Sequence, residues 1–193
     1  MKTTSLLMIL GCMLATSPAS GKTYLTPWAG YTLGGEVKDQ NDTEYRIKGS
    51  ESFALSLDND FDNGRIGLFY SYQKSKVKKL NVDTNMQYLL FQSSIPYEWA
   101  QDFFGYMGAA VGGSYIDADW TNDYGFAASI FGGFEYQMWQ NLYVNGQVRW
   151  LGTSVDGNTS GACTLSGSSS CTVQFTTDWV NQYAANLGVT VVF

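Results

Sequence analysis

The stretch Leu142-Tyr143-Val144-Asn145-Gly146-Gln147-Val148-Arg149-Trp150-Leu151-Gly152-Thr153 decides the fold. Successive side chains of an extended chain point to opposite faces. Leu142, Val144, Val148 and Trp150 therefore share one face, and Tyr143, Asn145, Gln147 and Arg149 share the other. The run is slightly longer than the roughly 9–11 residues that a tilted strand needs to cross a bilayer. One of its faces suits lipid and the other suits a polar lumen.

The same alternation recurs on both sides of this stretch, and nothing after residue 21 has capped helical periodicity. A first strand is expected at 24–34, with Leu25, Pro27, Ala29, Tyr31 and Leu33 opposite Thr26, Trp28, Gly30 and Thr32. A second, at 52–58, sets Phe53, Leu55 and Leu57 against Ser52, Ala54, Ser56 and Asp58. A third, at 65–73, groups Ile66, Leu68, Tyr70 and Tyr72. A fourth, at 84–95, has no clear phase, because Tyr88-Leu89-Leu90-Phe91 is apolar on both faces. A fifth, at 104–116, is rich in Gly and Ala. A sixth, at 125–137, turns Phe126, Ala128, Ile130, Phe134 and Tyr136 outward and Ala127, Ser129, Phe131, Gly133 and Glu135 inward. The seventh is the opening stretch. The eighth, at 175–193, puts Tyr183, Ala185, Leu187, Val189, Val191 and Phe193 on its outer face.

Turns are expected at 59–64 and 96–102 from their Asn, Asp, Gly and Pro content. Long polar loops follow the first and seventh strands, and short turns follow the second, fourth and sixth. That asymmetry, with an even strand count, is the pattern of an eight-stranded antiparallel up-and-down transmembrane β-barrel. Closure leaves no unpaired edge facing lipid. A soluble β-sandwich would explain the alternation, but not the aromatic outer faces or the last strand.

Composition agrees. Charged residues make up 15% of the chain and aromatic residues 16%, with 21 Gly and 3 Pro. Soluble domains carry about 25% charge. Yet the mean hydropathy of −0.14 is too polar for a bundle of membrane helices. Strands with one apolar and one polar face reconcile the two figures. The net charge of −6 disfavours nucleic acid as a partner. The four lysines between Lys74 and Lys79 read as a solvated loop near anionic lipopolysaccharide.

Residues 1–19 read as a secretory signal and 20–193 as the barrel. Lys2 supplies the positive start, Leu6 to Leu10 the apolar stretch and Ser17-Pro18-Ala19 the small residues of a cleavage site. Cleavage after Ala19 is favoured, with Ser20 and Gly21 as alternatives. Ile9-Leu10-Gly11-Cys12 also resembles a lipoprotein box, which would make Cys12 a lipidated first residue. Signal removal leaves Cys163 and Cys171, and an even pair in an exported chain suggests a disulfide.

Three motifs carry a family resemblance. Gly133-Phe134-Glu135-Tyr136, with Asn141-Leu142-Tyr143 through Arg149-Trp150, resembles the sixth-to-seventh hairpin of the OmpA-type barrel domain and its small OmpX-like relatives. Pro27-Trp28-Ala29-Gly30-Tyr31 resembles their first strand, and Leu187-Gly188-Val189-Thr190-Val191-Val192-Phe193 their last. The resemblance implies insertion by the barrel-assembly machinery, which reads a last strand ending in an aromatic residue. Leu187, Val189, Val191 and Phe193 fit that signal. It does not imply the peptidoglycan-binding domain that often follows such barrels. Glu135 matches an interior Glu of the family's ion-pair network, but Asn145 stands where its Arg would be, so that pair is not carried over.

The chain has no His, which removes the general base of the usual Ser-His and Asp-His hydrolases. Catalytic and metal-binding residues are therefore expected to be none, and no cofactor is expected. Asp58 with Asp60, Asp117 with Asp119, and the acids between Asp39 and Glu44 read as loop carboxylates without calcium-loop spacing. An eight-stranded lumen is just wide enough for side chains to fill. Trp28, Phe131, Tyr143, Arg149 and Leu151 point into it, so a plugged lumen is expected. A polar network of Glu135, Arg149, Asn145 and Gln147 should lie inside, with Glu135, Asp58 or Asp178 as an acidic partner for Arg149. The expected role is a structural or adhesion-type scaffold for surface loops, with a surface ligand or lipoprotein partner. The competing reading is a narrow pore for small solutes.

Deleting Phe193, or replacing it with Asp, should impair outer-membrane assembly and leave export across the inner membrane intact. Heat-modifiable migration on gels checks this, and unaltered migration of the variants counts against the signal.

Overall fold

An alternating strand exposed to lipid must pair along both edges, because each unpaired backbone group in hydrocarbon costs several kcal/mol. In the computed structural model every long strand does so. The structure describes residues 21–34, 36–38, 44–46, 49–77, 82–118, 121–154, 160–163, 171–174 and 179–193. The signal segment, Cys12, Asp178, Asp119 and Lys78-Lys79 lie outside the described residues.

The strands are β1 (Thr23–Leu33), β2 (Glu36–Lys38), β3 (Glu44–Arg46), β4 (Ser50–Phe61), β5 (Gly64–Val77), β6 (Val82–Ala100), β7 (Phe103–Ala118), β8 (Thr121–Trp139), β9 (Leu142–Ser154), β10 (Ser160–Cys163), β11 (Cys171–Gln174) and β12 (Trp179–Val192). Eight of them close a barrel in the order β1-β12-β9-β8-β7-β6-β5-β4, every pair antiparallel. The other four form two hairpins, β2 with β3 and β10 with β11. At the seam Thr23 N donates to Phe193 O at 3.1 Å, and Phe193 N donates to Thr23 O at 2.9 Å. The last residue thus completes the closing ladder.

One end of the barrel is made of tight turns, the start of β1 and Phe193. Phe61 pairs with Gly64 around Asp62-Asn63, and Asp62 takes φ 54°. Asp102, in the next turn, takes φ 62°. Asp tolerates this left-handed conformation better than most side chains. The opposite end carries the connections 34–49, 78–81, 119–120 and 155–178, two of which contain the small hairpins. By the length asymmetry of such barrels, the turn end is periplasmic and the loop end external.

The turn expected at 59–64 shrinks to Asp62-Asn63, because β4 runs on to Phe61 and β5 starts at Gly64. Three further expectations change. The turn expected at 96–102 shrinks to Gln101-Asp102, because β6 runs on through Pro96 to Ala100. The pairing of β5 with β6 ends at Arg65↔Ser94, so Pro96 lies past its neighbour, where no partner awaits an N–H on that side. At the loop end, β5–β6 and β7–β8 extend to Val77↔Val82 and Ala118↔Thr121. Those polar tips read as loop by composition, but they still pair as a ladder above the apolar zone. The long loops also contain hairpins, which no apolar alternation announces. The ambiguous fourth strand resolves with Tyr88 and Leu90 buried and Leu89 and Phe91 exposed.

Elsewhere the expected faces stand. Phe53, Leu55, Leu68, Ile130, Val148 and Leu187 are exposed on the wall, and Thr26, Trp28, Ser56, Phe131, Asn145 and Arg149 are buried inside. Inner packing uses glycine as a seat. A Cβ built at Gly188 would stand 2.5 Å from Trp28 Cε3 in the inner wall. The Trp28 indole fills that space and donates from Nε1 to Ser56 Oγ at 3.2 Å.

Candidate functional site: the lumen network

Inward parity on eight strands brings polar side chains from distant positions into a narrow core. Arg149 lies at its centre, with 1% of its surface exposed. Its Nη2 donates to Gln92 Oε1 at 2.8 Å, its Nε to Gln147 Oε1 at 3.1 Å, and its Nη1 to Ser129 Oγ at 3.2 Å. Phe69 and Phe131 flank the guanidinium, with ring centroids 3.8 Å and 4.1 Å from Cζ. Gln92 in turn donates from Nε2 to Asp58 Oδ1 at 2.9 Å. The amide thus relays between Arg149 and a carboxylate.

This corrects the expectation of an acidic partner. Among the described residues, no carboxylate lies within salt-bridge distance of Arg149. A guanidinium is delocalised and weakly hydrated, so aromatic faces and neutral carbonyl oxygens can replace its water. Glu135 is engaged elsewhere. Arg65 Nη1 donates to Glu135 Oε1 at 2.7 Å and Oε2 at 2.9 Å, while the Arg65 guanidinium sits 3.9 Å over the Tyr24 ring. The interior Glu therefore has an Arg, supplied by β5 rather than from the position of Asn145.

Asn145 belongs to a third group. Its Nδ2 donates to Thr190 Oγ1, which also shares a hydrogen bond with Thr26 Oγ1 at 2.6 Å. Gln147 bridges Arg149 to Tyr106, donating from Nε2 to Tyr106 Oη at 3.3 Å. Toward the loop end, Tyr88 Oη donates to Gln182 Oε1 at 2.9 Å and accepts from Thr153 Oγ1 at 3.4 Å. Of the four expected network residues, Arg149 and Gln147 touch, and Glu135 and Asn145 join separate groups. Arg65, Gln92, Phe69 and Tyr88 were missed. Arg65 and Phe69 share the inward parity opposite Ile66 and Leu68, so the signal for them was present.

The remaining expected positions lie outside the lumen. Leu187, Val189 and Phe193 are exposed on the outer face of the last strand, and Val191 is half-buried there. The backbones of Cys163 and Cys171 stand opposite each other across β10–β11. Among the described residues, no group of three or more His, Cys, Asp or Glu side chains is placed to hold a metal.

The wall around this core is apolar along all eight strands, with aromatic residues near both ends. Tyr97, Trp99, Trp139 and Phe193 lie at the turn end, and Tyr31, Tyr124 and Tyr183 at the loop end. A closed antiparallel barrel with a polar lumen, such a wall and two aromatic girdles is built to cross a bilayer. The fold is that of the small outer-membrane barrels.

Solved structures agree on the fold. Neisserial surface protein A matches with a TM-score of 0.63 at 13% identity, over 88% of this chain and 96% of its own. OprG from Pseudomonas aeruginosa matches with a TM-score of 0.53 at 12% identity, over 90% and 95%. No protein-family model matches the sequence, and no curated protein matches it either. These likenesses, at 12% and 13% identity, show the fold, which is that of the small eight-stranded barrels of bacterial outer membranes.

The ion pair yields a stability test. Glu135→Ala strands the largely enclosed Arg65 and should destabilise the barrel by up to about 3–5 kcal/mol, whereas Glu135→Met with Arg65→Met should cost much less. Urea unfolding in lipid vesicles measures both. Equal losses in the single and double variants would show that the pair is not coupled.

Proposed function

We propose that the chain is a rigid, plugged scaffold that presents loops at the cell surface, and that it is not an enzyme. The observation that carries this reading is the filled lumen. Arg149 is clamped between Phe69 and Phe131, and the cavity beside it, lined by Asp58, Arg65, Gln92 and Glu135, measures only about 20 Å³. That is room for roughly one water molecule. A hydrated solute would have to displace Arg149 and break its three hydrogen bonds.

Loops held on a fixed scaffold are where binding resides in such proteins. The hairpins β2–β3 and β10–β11 stand at the loop end, where a surface ligand or a lipoprotein would meet them. Delivery requires removal of the signal segment and insertion by the barrel-assembly machinery, to which the last strand is suited. The absence of His supports a role without acid–base hydrolysis.

Two outcomes check this reading. In planar bilayers the purified barrel should give no stable conductance, and Phe69→Ala with Phe131→Ala should open a small one. Stable conductance from the unaltered protein would favour the narrow-pore reading instead. We also propose that Cys163 and Cys171 form a disulfide. Directly opposed residues of an antiparallel pair have Cα atoms about 4.5–5.5 Å apart, within disulfide reach. Closing so short a loop stabilises by roughly 2.5 kcal/mol, so the bridge shapes the hairpin rather than holding the barrel. With both cysteines replaced by Ser, the barrel should still fold and resist heat in detergent, while added protease cuts the 155–178 connection faster. Loss of the barrel would make the bridge a structural requirement.

A further inference from the structure

A groove of about 320 Å³ is set into the lipid-facing wall on the loop side, bounded by Tyr70, Gln87, Leu89, Gly113, Tyr115 and Tyr124. Cross-strand register explains its shape. One row across β5, β6, β7 and β8 reads Tyr70, Leu89, Gly113, Phe126. The next row toward the loops reads Tyr72, Gln87, Tyr115, Tyr124. Gly113 is the missing side chain in the lower row, and the ring pair Tyr115–Tyr124, with centroids 4.9 Å apart, overhangs it.

The barrel does not need glycine at this point. A Cβ built at Gly113 would meet nothing nearer than Gly125 O at 3.8 Å. At the adjacent Gly112 it would stand 2.1 Å from Leu89 O. Packing therefore explains Gly112 and leaves Gly113 as an open notch.

The wall above the notch changes character in order. Tyr70 Oη donates to Gln87 Oε1 at 3.0 Å, and Tyr72 Oη donates to Asn85 Oδ1 at 3.3 Å, which makes a polar rim. Lys74 follows Tyr70 and Tyr72 on the same outward face of β5 and is exposed. Read toward the loops along β5 and β6, the surface presents an apolar notch, then phenols and amides, then Lys74, in a register row that also holds Asp117 on β7. An anionic amphiphile has its acyl chain, its carbonyl and hydroxyl linkages, and its phosphate in that same order. The groove is continuous with the lipid-facing wall and lies on the external side, where the leaflet is rich in phosphorylated glycolipid.

We propose that this groove seats one acyl chain of an outer-leaflet lipid A-type glycolipid, with Lys74 facing its phosphate. A chain leaving bulk lipid gains no hydrophobic free energy, so preference must come from packing in the notch and from charge at the interface. The site is therefore selective rather than tight.

Native mass spectrometry of the full barrel in detergent, titrated with purified lipid A or with phosphatidylethanolamine, tests the proposal. One lipid A should be retained ahead of any others, and about tenfold more readily than phosphatidylethanolamine. Gly113→Phe, which fills the notch, and Lys74→Glu should each weaken that first retention about tenfold. Ala185→Phe, on β12 across the barrel, should leave it unchanged. Heat-modifiable migration confirms that each variant folds, and Gly113→Leu serves if the Phe variant does not. Equal retention of the two lipids, or undiminished lipid A retention by a folded Gly113 variant, overturns the proposal.

Discussion

Hydrocarbon offers no hydrogen bonds, and the whole structure depends on that constraint. Every N–H and C=O of a strand facing lipid must find another strand, and a sheet with an open edge cannot comply. The seam between β1 and β12 is where the chain meets this demand. Thr23 and Phe193 exchange both of their backbone hydrogen bonds there, so the final residue removes the last edge. Closure with eight strands then sets the lumen width, and that width dictates a core filled by side chains rather than by water. Lumen, wall and turn geometry are consequences of the one requirement.

Alternation told which side chains face inward on six of the eight strands, because a period of two leaves no choice once one face must meet lipid; the Gly- and Ala-rich β7 has too few large side chains to show a phase. Alternation failed on β6 only where Tyr88-Leu89-Leu90-Phe91 is apolar throughout. There Tyr88 goes inward because its hydroxyl finds Gln182 and Thr153. Alternation could not show where strands end. Lys74-Ser75-Lys76 and Asp83 carry no apolar signal, yet they pair across β5–β6, since outside the bilayer a ladder needs no greasy face. Pro96 reads as a breaker but lies where its strand has outrun β5. The site was half legible for a related reason. Parity placed Arg149, Glu135, Asn145 and Gln147 inside, but contacts across a barrel depend on height along the axis. Arg65 meets Glu135 across 70 positions of sequence, and Arg149 meets Gln92 across 57.

The two lumen arginines answer burial differently. Arg65, nearer the turn end and partly accessible, takes a carboxylate directly. Arg149, almost wholly enclosed, takes three neutral oxygens and two aromatic faces, with Asp58 one amide away. Among the described residues the buried or nearly buried charges are Arg65 and Arg149 against Asp58 and Glu135, so the core is balanced overall. The balance is spread over a relay rather than concentrated in two tight pairs. Asp58 is itself buried, so the relay through Gln92 keeps the two charges near each other without a direct contact. Stacking between Phe69 and Phe131 covers both faces of the guanidinium at the barrel's midline.

Lumen and wall are coupled through the backbone. Each strand residue that supplies the lumen is flanked by two that supply the wall, so a one-residue slip would exchange Arg149 for Val148 or Trp150 at the lipid surface. The side chains that line the lumen therefore do more than occupy space. Their hydrogen bonds and ring contacts single out one register for all eight strands, which a smooth apolar wall cannot do, because lipid accepts any greasy side chain at any height. Specificity of fold thus resides inside, where partners are few and directional. The outer wall, free of that duty, can tolerate an open notch such as the one at Gly113 without loss of closure. A position that carries no burden for the fold is available to be shaped by what lies against it in the membrane.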